Sequence, residues 1–176
     1  GVQTCALPIY SGPIQLIAEN AYNDLGQLLS KKIGNTTNLP LQKIDYTYNI
    51  RGWLKGVNND PTDSLLFNTN ENDLFSFKIN YNSVQNGINY IGQKNFNGNI
   101  SEIYWRSKTD NTIKKYGFIY DGLNRLSNAI YLKPTSDQTE PNTFNESIKY
   151  DKNGNITNLI RNGGTDGIIP EQVIDN

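Results

Sequence analysis

The sequence predicts an all-β fold of successive antiparallel hairpins forming a curved sheet. Three observations carry that expectation. One short turn pattern recurs along the chain. Aromatic and β-branched residues alternate with polar ones on its flanks. Helical periodicity is poor throughout.

The recurring pattern is Tyr, then Asp or Asn, two variable positions, Gly or Asn, one further variable position, then Leu or Ile. It is met first as Tyr22-Asn23-Asp24-Leu25-Gly26-Gln27-Leu28 and again as Tyr48-Asn49-Ile50-Arg51-Gly52-Trp53-Leu54. Two later copies are Tyr120-Asp121-Gly122-Leu123-Asn124-Arg125-Leu126 and Tyr150-Asp151-Lys152-Asn153-Gly154-Asn155-Ile156. A degenerate copy keeps only Asn97-Gly98-Asn99-Ile100, with Phe96 before it. An Asp or Asn at the first corner of a turn accepts hydrogen bonds from the backbone just beyond it. Three positions later the chain needs φ > 0 to re-enter the returning strand. Gly adopts that conformation freely and Asn is the next best choice. Tyr before the turn and Leu or Ile after it are then expected to face each other, a pair contributing roughly 0.2–1 kcal/mol.

The flanks are read in chain order. Leu16, Ile17, Ala18 and Leu25 allow a short helix within residues 14–30, but the turn copy inside that stretch favours two strands. Ile44, Tyr46 and Tyr48 alternate with polar residues, as do Phe75, Phe77, Ile79 and Tyr81, and then Tyr116, Phe118 and Tyr120. Asp110-Asn111 marks another hairpin between Trp105 and Tyr116. Residues 58–63, 133–145 and 162–167 read as loops, with no domain boundary among them.

Composition narrows the chemistry. The net charge is −1, without the basic excess that nucleic-acid binding requires. No apolar run is long enough for a membrane span. His is absent, which removes His-dependent triads and His-containing zinc sites. Met is absent too, and the chain is read as an internal piece of a longer one. Residues 1–9, GVQTCALPI, resemble the translation of a sequencing adaptor. They are set apart from the repeat region, residues 10–176, with a genuine leading strand carrying a buried Cys5 as the alternative, and Cys5, the single cysteine, supports no role.

The turn copies resemble the YD repeats of the bacterial Rhs family. Tyr120 to Leu126 is similar to YDxxGRL with Asn124 in the Gly position, and Tyr150 to Ile156 to YDxxGNI. Tyr46 to Leu54 is similar to the YxYxxxGxL form. The resemblance implies repeats that spiral into a hollow β-shell of a secreted or cell-surface protein. In polymorphic toxins that shell encloses a C-terminal toxic domain. The implied partners are the rest of the chain's own repeats, its core domain and such a toxin. The family's self-cleavage motif has no counterpart here, since Asp60-Pro61-Thr62-Asp63 does not fit it. No catalysis and no cofactor are expected.

Other readings attach to particular residues. Trp53 and Trp105 are candidates for stacking on sugar rings, as in a carbohydrate-binding module or adhesin; packing within the sheet is the alternative. The pairs Asp60 with Asp63 and Glu140 with Glu146 have the residue types of a glycosidase acid and base, in polar loops. The residues from Asp151 to Asn155 are similar to the start of a calcium loop, but Asn162 stands where a bidentate Glu is needed.

Overall fold

The computed structural model describes residues 2–5, 15–59, 73–85, 92–134, 143–164 and 172–175. Those residues form twelve β-strands and no helix, and strands adjacent in the chain are adjacent in the sheet. Every pairing with a defined register is antiparallel. Parts of the string 1–9, and the loop residues Asp60, Asp63 and Glu140, lie outside the described residues. The chain divides into two units, Gly1–Lys78 with Ser107–Asp110, and Ile79–Arg106 with Asn111–Asn176. That division falls inside an unbroken strand, so no shift in composition marks it in the sequence.

The first unit holds β1 (Val2–Cys5), β2 (Ala18–Tyr22), β3 (Leu28–Asn35), β4 (Pro40–Tyr48), β5 (Leu54–Val57) and the leading part of β6 (Phe75–Asn80). Among the described residues of that stretch, 15–30, the chain forms β2 and the start of β3 around a turn, not a helix, because Asn23 and Gly26 close a hairpin in mid-segment. Leu16 is buried, but most apolar side chains of β2–β4 are only half-covered. Lys32 and Glu19 pair at 3.0 Å with both side chains half-buried.

The second unit holds β7 (Glu102–Ser107), β8 (Lys114–Tyr120), β9 (Leu126–Leu132), β10 (Glu146–Tyr150), β11 (Ile156–Gly163) and β12 (Gln172–Asp175), apart from Ser107. One face of β7–β9 carries a row of rings. Trp105 stacks on Tyr116 at 5.7 Å between centroids, and Tyr116 stacks on Phe118 at 6.0 Å. Tyr131 meets Tyr116 and Phe144 edge-on. Offset and edge-on contacts of this kind add roughly 0.5–1.5 kcal/mol beyond the area buried.

The opposite face of the same strands is the unexpected one. Period-two alternation places the polar residues between the aromatics toward water. Here Glu102 and Lys115 are buried alongside Tyr104, as is Asn80 at the end of β6. The segments after β6 fold over them, with Val84 and Asn95 themselves buried.

Each turn depends on its left-handed residue. Gly154 has φ +91°, and a Cβ built there meets nothing within 4 Å, so alanine would add backbone strain without a clash. Gly154→Ala is expected to lower unfolding stability by about 1–2 kcal/mol, while Gly154→Asn costs clearly less. Urea unfolding of the two variants checks this; equal losses would remove the conformational explanation.

Candidate functional site

The strongest candidate is the set of repeated turns. All four complete copies share one hydrogen-bond pattern. In the first, the Gly26 N–H donates to the Asn23 carbonyl at 3.0 Å, and the Asn23 N–H to the Gln27 carbonyl at 3.0 Å. The same two bonds recur from Gly52 and Asn49, from Asn124 and Asp121, and from Gly154 and Asp151. This is a three-residue hairpin loop closed by a left-handed residue and a bulge. The φ angles agree: 76° at Gly26, 80° at Gly52, 61° at Asn124 and 91° at Gly154. Beyond each bulge Tyr22 faces Leu28, Tyr48 faces Leu54, Tyr120 faces Leu126 and Tyr150 faces Ile156.

The first-corner side chain holds the loop from inside. Asn23 Oδ1 accepts from the Leu25 and Gln27 amides, and Asn49 Oδ1 from Arg51 and Trp53. Asp121 Oδ1 accepts from Leu123 and Arg125, and Asp151 Oδ1 from Asn153 and Asn155, all within 2.8–2.9 Å. The position after the left-handed residue, variable in the sequence pattern, has a partner as well. Asn23 donates to Gln27 Oε1, Arg125 Nε donates to Asp121 Oδ2 at 2.7 Å, and Asn155 donates to Asp151 Oδ2 at 2.9 Å. The recurrence of Gln, Arg and Asn there was the available signal. At Trp53 the Arg51 guanidinium lies 5.1 Å from the ring centroid. Asp151 thus engages both carboxylate oxygens within its own turn, which is the physical role of the segment similar to a calcium loop.

Sequence reasoning missed the connection between copies. The Tyr48 hydroxyl donates to the Leu28 carbonyl at 3.0 Å. Tyr120 donates to the Ile100 carbonyl and Tyr150 to the Leu126 carbonyl, each at 2.8 Å. Each tyrosine therefore reaches the post-turn residue of the preceding copy. The degenerate copy fits this scheme. Gly98 has φ 103° and Asn97 accepts from the Asn99 amide, but Phe96 and Ile100 lie outside strands. Ile100 still supplies the acceptor, whereas Phe96 has no hydroxyl to donate. Arg125 adds a second link by lying 4.5 Å from the Tyr150 ring centroid and donating to the Asp151 carbonyl.

The other candidates have structural surroundings. Trp105 is half-buried in the aromatic row of the second unit. Trp53 belongs to a turn of the first unit, and Glu146 lies in β10 within 3.4 Å of Arg161. Among the described residues no group of three or more Asp, Glu, His or Cys is placed to hold a metal ion. No protein-family model and no curated protein matches the chain.

Two outcomes follow from this geometry. Tyr120→Phe and Tyr150→Phe each delete one hydroxyl bond and keep the ring; each is expected to cost about 1 kcal/mol in urea unfolding. An unchanged midpoint in both would remove the inter-copy bond as a stabilising element.

The second outcome concerns pH. The Arg125 amide first, together with its guanidinium and the Leu123 amide, holds the Asp121 carboxyl below the usual aspartate range. The Asn155 side chain, then its amide, does the same for Asp151. A carboxyl depressed in the folded state stabilises the fold fully above its unfolded value and loses that contribution as pH falls through the folded value. Stability is therefore expected to decline with acid below about pH 4. Asp121→Asn with Asp151→Asn should flatten that decline, since Asn23 and Asn49 hold the same loop without charge. An acid profile unaffected by the double substitution would contradict the assignment.

Proposed function

We propose that the chain is a wall segment of a YD-repeat shell in a secreted or cell-surface protein, with a scaffolding role and no catalysis of its own. The observation that carries this reading is the hydroxyl bond from the tyrosine of one turn copy to the post-turn carbonyl of the copy before it. A repeat unit cannot bury its own surface, so its neighbours must supply the missing contacts. A bond made between copies, at the residue that opens the repeat, is what an extending wall requires.

The turn chemistry adds support. Each loop is short, satisfies its own backbone and leaves the strands free to pair on both sides. In such an array the recurring chemistry of the turn sets register, while the intervening strands tolerate varied side chains. The resemblance of the tyrosine-led copies to Rhs repeats supplies the larger picture: a hollow shell whose cargo is a C-terminal toxic domain.

Electron microscopy of the full-length protein tests the proposal. A hollow particle with these hairpins in its wall is expected. Solid separate domains joined by linkers would refute it. Saturable binding on a glycan array, lost in Trp105→Ala, would replace the scaffold reading with a carbohydrate-binding one.

A further inference from the structure

The buried polar cluster of the second unit is not accounted for by hairpin formation. Glu102 is fully buried at the start of β7, Lys115 is 3% exposed in β8, and Asn80 is 7% exposed at the end of β6. Glu102 Oε1 pairs with the Lys115 ammonium, and Glu102 Oε2 accepts from Asn80 Nδ2 at 2.9 Å. One carboxylate thus touches the lysine nitrogen with one oxygen and the asparagine amide nitrogen with the other. The Gln85 amide also donates to Oε2, at 3.0 Å. The Tyr104 ring lies 5.2 Å from Lys115 Nζ. Gly92 closes over the carboxylate, where a Cβ would stand 3.1 Å from Glu102 Cγ and 2.9 Å from the Ser101 carbonyl oxygen.

As a fixed ion pair this arrangement is expensive, because desolvation of two charges offsets much of their attraction. As a reaction centre each part has a use. A buried site suits a lysine nucleophile, a neighbouring carboxylate can move its proton, and confinement replaces a bimolecular encounter. We propose that Lys115 and Asn80 become joined by an amide bond, with Glu102 as the proton-transfer group.

The step balances without an oxidant or external reagent. The Lys115 ammonium gives a proton to Glu102, leaving a neutral amine. Its Nζ attacks Asn80 Cγ, and the Nζ–Cγ bond forms. Glu102 returns the proton to Asn80 Nδ2, the Cγ–Nδ2 bond breaks and ammonia leaves. The second amine proton passes through the same carboxylate to the departing ammonia, which exits as ammonium. Glu102 ends as it began. Asn80 Nδ2, the leaving nitrogen, already donates to that carboxylate. The product is a covalent bridge from β6 to β8 across β7, placed to hold the three strands against mechanical or thermal separation.

Mass spectrometry of the purified wild-type protein tests this directly. The expected result is an intact mass lower by one ammonia, together with a protease-resistant peptide pair joined at Asn80 and Lys115. Lys115→Arg, which keeps the charge pair but not the primary amine, and Glu102→Gln should restore the full mass. An unmodified wild-type mass overturns the proposal. So does ammonia loss mapped to a succinimide at Asn97-Gly98 or Asn153-Gly154, or loss of water with Lys115 joined to Glu102. The wild-type measurement decides the matter even where a variant fails to fold.

Discussion

A side-chain oxygen one residue after tyrosine, accepting two backbone amides, is the interaction on which the rest of this structure depends. It closes the loop between Asn23 and Gln27, Asn49 and Trp53, Asp121 and Arg125, and Asp151 and Asn155. Loop backbone that would otherwise need water is satisfied locally, and the residue three positions after the corner takes positive φ. The resulting bulge sets Tyr opposite Leu or Ile. Without the corner oxygen neither the register nor the direction of the tyrosine would be defined.

From that fixed direction comes the link to the previous copy. A tyrosine at the mouth of a rigid turn carries its hydroxyl to a carbonyl 20 residues back in the case of Tyr48 and Tyr120, and 24 back for Tyr150. The bond is modest in energy, but it fastens turns to one another at the same point each time. Burial pushes the Tyr120 hydroxyl above its ordinary range, against the Ile100 carbonyl bond. The Tyr120 hydroxyl therefore remains a protonated donor under ordinary conditions. The same design explains why loop length between copies can vary: only the turn and its acceptor need to keep their geometry.

The two faces of β7–β9 divide the work differently from a simple amphipathic sheet. Rings on one face pack by stacking, with Trp105, Tyr116 and Phe118 in a row. The other face encloses Glu102, Lys115 and Asn80 under the segments that follow β6. Polar residues at alternating positions ordinarily report solvent. Here they form a buried ion pair, because backbone of the segments after β6 lies against them and the charges find partners in one another.

Much of this was legible in the residues themselves. The turn pattern, its left-handed position and the Tyr–Leu pairing follow from local rules: a short side chain bonding its own backbone, and a φ that only Gly or Asn tolerates. Such rules act within seven residues and need no knowledge of distant chain. The partners of the variable position were half visible, in the recurrence of Gln27, Arg125 and Asn155. The division inside β6, the landing point of each tyrosine hydroxyl and the burial of Glu102 with Lys115 were not. Each depends on which strand lies beside which and on what covers a sheet face. Sequence alternation assigns a residue to a side of its strand, while only the assembled sheet and its overlying segments decide whether that side meets water or protein.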